Sequence, residues 1–313
     1  MRMVITPAKK MAVETTMTDQ IPNAVYRVKS DGFHGEQFLP AEDRFPGKAL
    51  ICFSGSDGKF ELSRMLARVF QRAGLTALAL AYVMEEGLPR QFFRVPIDPL
   101  EAAAKRLHGM GYEKVGLWGL SKGAELALTA GSLLPEIVNG VVAVSPMNTV
   151  CQGFSTGKGV SVMPGSSWSF RGEELPYTAF GLDRFPLGHV LRSSLRAREP
   201  TMYDLYLPMV QNPNPGAVIQ AEKITGPILL ISSKMDTMWP SEPAAEQVMR
   251  RLRQQDFPYP CRHLRYEHGG HLFVPMELRL AKFFKGDRGK NREPGRQARM
   301  DSLIQTLKFV SQW

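Results

Sequence analysis

Three cysteines in 313 residues are too few for a disulfide framework, and Cys52, Cys151 and Cys261 stand too far apart for a zinc knuckle. They read as reduced core thiols, and the chain as cytoplasmic. No apolar run reaches the roughly 18 residues of a membrane-spanning helix. Residues 1–20 lack the apolar segment of a secretory signal and read as a flexible leader, with Met3, Met11 and Met17 as alternative starts. Internal repeats, low-complexity tracts and nucleic-acid motifs are also missing, so no nucleic-acid partner is expected. Neither a metal nor a cofactor is expected.

Acidic charge is the scarcer kind: 30 Asp and Glu stand against 39 Lys and Arg, leaving the chain at +9. The excess is concentrated between residues 282 and 299. Lys282, Lys285, Arg288, Lys290, Arg292, Arg296 and Arg299 are opposed there only by Asp287 and Glu293. Gly286, Gly289, Pro294 and Gly295 make this stretch a basic loop in expectation. Such a loop is either simply solvated or attracts an anionic membrane or a phosphorylated small molecule.

Hydrophobic residues make up 43% of the chain, enough for a sizeable core, and their order sets the fold class. Short apolar runs of strand type fall at Ala49–Phe53, Leu75–Tyr82, Lys114–Trp118, Gly140–Ser145, Pro227–Ser232 and Arg262–Tyr266. Helical spacing lies between them: Leu62, Met65, Leu66, Val69 and Phe70 before a stop at Gly74, and Leu100, Ala103, Ala104 and Leu107 behind Asp98-Pro99. Asp98 reads as the cap of that second helix and Pro99 as its first position. Further helices are expected at Ala244–Leu252 and Ser302–Val310. This alternation predicts an α/β protein, a mostly parallel twisted sheet with helices on both faces. Between about 147 and 223 the rhythm fails, and Gly, Pro, Ser and aromatic residues dominate. That insertion into a single domain spanning 21–313 is expected to form a lid or pocket wall.

The segment Val115-Gly-Leu-Trp-Gly119-Leu-Ser121-Lys-Gly123 carries the chemistry. An apolar strand enters Gly-x-Ser-x-Gly and a helix leaves it at once, the context of a nucleophile elbow. Small residues two before and two after Ser121 let the backbone pass closely, while the Lys122 N–H and the helix N-terminus stand ready to stabilise developing negative charge. A serine hydroxyl needs a base to take its proton, and the base needs an acid to hold its tautomer. In chain order Ser, acid, His, the candidates are Asp236, in the loop after the 227–232 strand, and His271, behind paired glycines after the last strand. Alternatives are Asp183, Asp204 and Asp256 for the acid and His268 or His263 for the base. His34, His108 and His189 read as surface or packing residues. The oxyanion hole pairs Lys122 N–H with an N–H of the loop after Phe53, from Ser56 or Gly55.

With these residues in place, the chain resembles the C-terminal α/β-hydrolase domain of the acyl-CoA thioesterase and bile acid-CoA:amino acid N-acyltransferase family, related to dienelactone hydrolases. The shared stretches are Ala79-Leu-Ala-Tyr82 with Gly87-Leu-Pro89, the run Gly116 to Leu126 around Ser121, Phe170-Arg-Gly-Glu-Glu-Leu-Pro176, Asp236-x-x-Trp239-x-Ser-Glu242, and Gly270-His271. The resemblance implies an α/β-hydrolase fold with Ser121 as nucleophile, Asp236 as orienting acid and His271 as base. It also implies a serine hydrolase that cleaves acyl-CoA or related small-molecule thioesters through an acyl-enzyme. The departures are two. Two-domain members carry a β-sandwich ahead of the hydrolase, for which the residues before the first core strand are too few. The amino-acid-transferring branch uses a cysteine nucleophile where this chain has Ser121. Other readings are an oxygen-ester carboxylesterase or dienelactone-type hydrolase, an acyl-CoA-dependent acyltransferase, and a ligand-binding module on a hydrolase scaffold.

Overall fold

A strand buried on both faces sends alternate side chains to opposite sides, and the central strands of this protein do so without exception. Ala49, Ile51 and Phe53 join Leu78, Leu80, Val115, Leu117, Val141, Ala143, Ile228 and Leu230 in one core layer. Leu50 and Cys52 join Ala77, Ala79, Trp118, Leu120, Val142, Val144, Leu229 and Ile231 in the other. The computed structural model describes residues 21–313 apart from 157, 158, 183 and 278. The expected leader, with Met3, Met11 and Met17, and the alternative acid Asp183 lie outside the described residues.

Eight strands make the main sheet: β1 (Ala24–Tyr26), β2 (His34–Phe38), β3 (Lys48–Phe53), β4 (Thr76–Ala81), β5 (Lys114–Leu120), β6 (Val141–Val144), β7 (Ile228–Ser233) and β8 (Cys261–Tyr266). Their spatial order is β1-β2-β4-β3-β5-β6-β7-β8. From β4 to β8 every pairing is parallel, whereas β2 runs antiparallel to both β1 and β4. The mostly parallel α/β sheet expected from the sequence is therefore present, with an antiparallel pair added at one edge.

Helices cover both faces. On the first lie α2 (Asp98–Gly109), α3 (Lys122–Leu133) and α6 (Ser241–Gln254), through residues such as Leu107, Leu128 and Val248. On the second lie α1 (Phe60–Arg72), through Leu66 and Phe70, and α7 (Arg292–Ser311), through Phe309 and Val310. Two more helices, α4 (Leu187–Ala197) and α5 (Tyr203–Gln211), belong to the irregular segment between β6 and β7, which also holds a hairpin of Gln152–Ser155 with Ser161–Ser166.

Two expectations are corrected here. Asp98 is the first helical residue of α2 behind Ile97, with no side-chain cap, and its carboxylate instead accepts the Arg171 N–H at 3.2 Å. The basic stretch 282–299 is not a loop. It consists of short 3-10 turns at Arg279–Phe283, Lys285–Asp287 and Gly289–Asn291, followed by α7 from Arg292 onward. Its glycines serve close packing, since a Cβ on Gly286 or Gly295 would strike the backbone of Gly269 or of Gly286 itself. Arg299 is buried and ion-paired with buried Asp287, so this part of the stretch is structural.

Candidate active site

Parallel strands bring all their C-terminal ends to one edge, which is where an open α/β sheet places its ligand. Register puts Phe53 of β3 opposite Gly119 of β5, and Ser233 of β7 opposite Tyr266 of β8. The loops that begin there carry Ser121, Asp236 and His271. Ser121 sits at φ 57°, ψ −119° between β5 and α3, a conformation that costs a non-glycine residue about 1–3 kcal/mol. The flanking glycines permit it. A Cβ on Gly119 would overlap the Gly123 carbonyl, and one on Gly123 would overlap the Ser54 carbonyl.

Three side chains from distant parts of the chain meet in a line. His271 Nε2 lies 2.8 Å from Ser121 Oγ, and His271 Nδ1 lies 3.0 Å from both Asp236 carboxylate oxygens. A carboxylate only accepts, so Nδ1 donates to Asp236 and Nε2 is left to accept from the serine. All three side chains are buried. Asp236 is fixed in turn: Ser241 Oγ donates to it at 2.6 Å and the Met238 N–H at 3.0 Å.

The histidine is braced from several sides. The Trp239 ring stands edge-on to it at 5.7 Å, and Trp239 Nε1 donates to the Ser145 carbonyl. Ser145 Oγ donates to the His271 carbonyl at 3.1 Å. Asp287 accepts the Gly270 N–H at 2.6 Å, the Gly286 carbonyl accepts the Gly269 N–H, and Ser233 Oγ donates to the Gly269 carbonyl. The Arg299–Asp287 pair thus anchors the loop that delivers His271. Nothing in the composition of 282–299 distinguishes this role from a solvated surface.

Backbone that could supply oxyanion donors also runs close to the hydroxyl. The Ser121 N–H is committed to the Val144 carbonyl at 2.8 Å, so it is not one of them. Lys122 opens α3, where a helix N–H has no partner within its own helix. Opposite, a Cβ on Gly55 would sit 3.4 Å from Ser121 Oγ, so the Gly55–Ser56 backbone runs beside the hydroxyl. Tyr82 Oη donates to the carbonyls of Ser54 (3.0 Å) and Gly55 (2.8 Å). In a trans peptide the N–H points opposite to the C=O, so this clamp turns the Gly55 and Ser56 N–H groups away from Tyr82. Burial holds the Tyr82 hydroxyl well above its ordinary pKa, keeping it a donor.

Sequence reasoning overlooked Glu125. Its carboxylate is fully buried and receives Lys122 Nζ at 2.8 Å on each oxygen, the Cys151 N–H at 2.9 Å and Trp168 Nε1 at 2.8 Å. This ion pair joins the first turn of α3 to the segment after β6. The signal was available, since a Lys and a Glu three apart at the start of an otherwise apolar helix face each other.

The rival residues lie elsewhere. Asp204 is in α5, and Asp256 follows α6 in an exposed turn. Neither has a hydrogen bond to His271, whose two ring nitrogens are taken by Asp236 and Ser121. His34 packs edge-on against Phe60, His108 bridges the carbonyls of Tyr112 and Ile137, and His189 is exposed on α4. His268 stands on the same loop, three residues before His271, whose ring nitrogens are the ones that meet Ser121 and Asp236. His263 meets Ser232 Oγ at 2.8 Å, and burial lowers its pKa from 6.5 to about 4. The folded state therefore prefers neutral His263, and its contribution is present above pH 6.5 and lost as pH falls toward about 4. Discounted for partial exposure, the loss is about 2 kcal/mol. Urea melts at pH 7 and pH 4 should show a smaller acid loss in His263→Gln than in the parent chain.

The sheet order, the strained serine between β5 and α3, and the acid and histidine loops at the same edge define an α/β-hydrolase-fold protein. Solved structures agree: a Klebsiella pneumoniae chain assigned as a dienelactone hydrolase superposes with a TM-score of 0.53 at 13% identity, covering 90% of this chain and 93% of that one. MGS-M1, an α/β hydrolase from a deep-sea metagenome, gives 0.50 at 13% identity over 90% and 94%. Residues 101–277, more than half of the chain, match the family described as BAAT / acyl-CoA thioester hydrolase C terminal, and the chain belongs to that family. Human acyl-coenzyme A thioesterase 1 is 26% identical over 271 residues, which is 84% of this chain and 58% of that protein. Mouse acyl-coenzyme A amino acid N-acyltransferase 1 is 28% identical over 258 residues, 80% of this chain and 54% of its own length. The chain therefore spans only somewhat more than half of either relative. Among the described residues no helix is long and apolar enough to cross a membrane.

Proposed function

We propose that this chain is a serine hydrolase of acyl-CoA or closely related thioesters. The observation that carries the reading is the single line from Ser121 Oγ through His271 to Asp236, with Lys122 N–H and the Gly55–Ser56 backbone beside the hydroxyl. The family match and a relative named acyl-coenzyme A thioesterase support the thioester. Ser121 Oγ attacks the acyl carbon while His271 Nε2 takes its proton. The oxyanion that forms rests on the N–H groups of Lys122 and Ser56. As it collapses, the C–S bond breaks and His271 returns the proton to the departing thiol. Water then attacks the acyl-serine with His271 again as base, releasing the acid and restoring Ser121.

Serine at 121, rather than cysteine, supports water over an amine as the final acceptor. The apolar cluster of Met147, Cys151, Tyr206, Met209 and Trp239, which adjoins His271 through Trp239, is where an acyl chain would be met. The chain's surplus of basic residues suits a substrate that carries phosphates. The free cysteines, two of them buried, support a reducing compartment, and we place the activity in the cytoplasm.

The test is thiol release from short, medium and long acyl-CoAs, with matched oxygen esters in parallel. A maximum at one acyl length supports the reading; turnover of the oxygen esters alone overturns the thioester assignment. Asp236→Asn should keep the fold, because the Asn oxygen still accepts from Met238, yet offer His271 a donor where an acceptor is needed. A fall in kcat of about 10³–10⁴-fold is expected, with KM little changed.

A further inference from the structure

Helix α4 breaks the rule that an amphipathic helix turns its apolar stripe inward. Leu187, Leu191 and Leu195 recur every fourth residue on one side of it, at 55%, 54% and 77% exposure, and none of its residues is buried. Every strongly charged residue from 184 to 198 is an arginine, and Arg192 and Arg196 each follow one of the exposed leucines. A second apolar group lies next to it in space. The C-terminal end of α4 is bonded to the turn at 285–288: Arg288 donates to the Arg198 carbonyl, and the Lys285 N–H donates to Glu199 at 2.7 Å. Immediately before that turn Leu280 and Phe283 are 60% and 50% exposed, interleaved with Arg279, Lys282 and Lys285. Both groups border the catalytic loops. The N–H groups of Met202 and Tyr203, just after α4, donate to the carbonyl of Thr237, the neighbour of Asp236.

The geometry points to a docking face for an anionic lipid bilayer, with leucines and Phe283 entering the headgroup boundary and the arginines and lysines meeting lipid phosphates. Exposed leucine beside exposed arginine, without acidic residues between, is the composition of helices that lie in the membrane interface. A second copy of this chain is disfavoured because a self-complementary contact would set these cationic rows against one another. A free phosphate compound would engage the charges but leaves the leucines unexplained. Docking at this edge would hold the Asp236 and His271 loops against the bilayer, from which acyl chains could pass without crossing water. The proposal goes beyond the hydrolytic reading and stands without it.

The test is co-sedimentation of the full chain with phosphatidylcholine vesicles and with phosphatidylcholine–phosphatidylglycerol vesicles. Binding to the anionic vesicles only, weakened by salt, is expected. The double variant Leu191→Ser/Leu195→Ser should lower the partition coefficient about tenfold or more, as should Arg192→Gln/Arg196→Gln. These side chains are exposed, so thermal melts should match the parent and exclude misfolding as the cause. Three results overturn the proposal: no binding to anionic vesicles, unchanged binding by the leucine variant, or a concentration-dependent dimer that the leucine variant dissolves. Vesicle binding is read equally well on Ser121→Ala. Loss of hydrolysis with binding intact would sink only the proposed activity, and hydrolysis without binding would sink only the docking face.

Discussion

Ser121→Ala should lower thioester turnover by roughly 10⁴–10⁶-fold while leaving the melting temperature within a few degrees of the parent. The rate effect is this large because, among the described residues, the hydroxyl is the only nucleophile that His271 Nε2 reaches, at 2.8 Å, and the histidine is already oriented by Asp236. Residual turnover would come from water attacking a carbonyl still polarised by the Lys122 and Ser56 N–H groups. The stability effect is small because alanine loses one hydrogen bond and relaxes none of the backbone strain at φ 57°. Two readouts check this: thiol release under saturating acyl-CoA, and labelling by a fluorophosphonate, which should mark the parent once and the variant not at all. Parent-like turnover in the variant would exclude Ser121 as nucleophile, whatever the distances.

The elbow was legible because its requirements are local. Gly119 and Gly123 are needed within two residues of Ser121, on a strand–helix junction that apolar periodicity already marks. Asp236 and His271 were legible because parallel strands send their loops to one edge, so position after a strand stands in for position in space. The antiparallel pair β1–β2 was not foreseen. His34-Gly-Glu-Gln-Phe38 has little of the apolar run that signals a strand, and it is buried through pairing with β4 and through the Arg64–Glu36 ion pair. Within the basic stretch Arg299 was misread because composition counts charges and not partners: it spends its charge inside the protein on Asp287. Glu125 was passed over although its partner Lys122 stands only three residues away, because its other partners do not. Those partners, Cys151 and Trp168, lie 26 and 43 residues away, and only the tertiary fold brings them together.

Glu125→Leu should be the most destabilising single change at the site, and the reason lies in what it strands. Removing one partner of a buried ion pair costs about 3–5 kcal/mol, because the remaining charge keeps its desolvation penalty. Here the stranded group is Lys122, 2% exposed. Two further donors, the Cys151 N–H and Trp168 Nε1, lose their acceptor at the same time, at about 1–3 kcal/mol each. The sum approaches the whole stability of a typical domain. Lys122→Met should be milder, about 3 kcal/mol, since Glu125 keeps both N–H donors. The double variant Lys122→Met/Glu125→Leu removes the stranded ammonium but not the orphaned donors. It should therefore recover part of the loss of Glu125→Leu and remain below Lys122→Met. Urea melts of the four proteins give the coupling between the two residues directly. Equal stability of the double variant and Lys122→Met would mean that the Cys151 and Trp168 bonds contribute nothing. Soluble variants should also lose activity beyond their unfolded fraction, because Glu125 ties the turn that presents the Lys122 N–H to the segment after β6. Parent-like kcat in a folded Lys122→Met would confine the pair to holding the fold and leave the oxyanion donors independent of it.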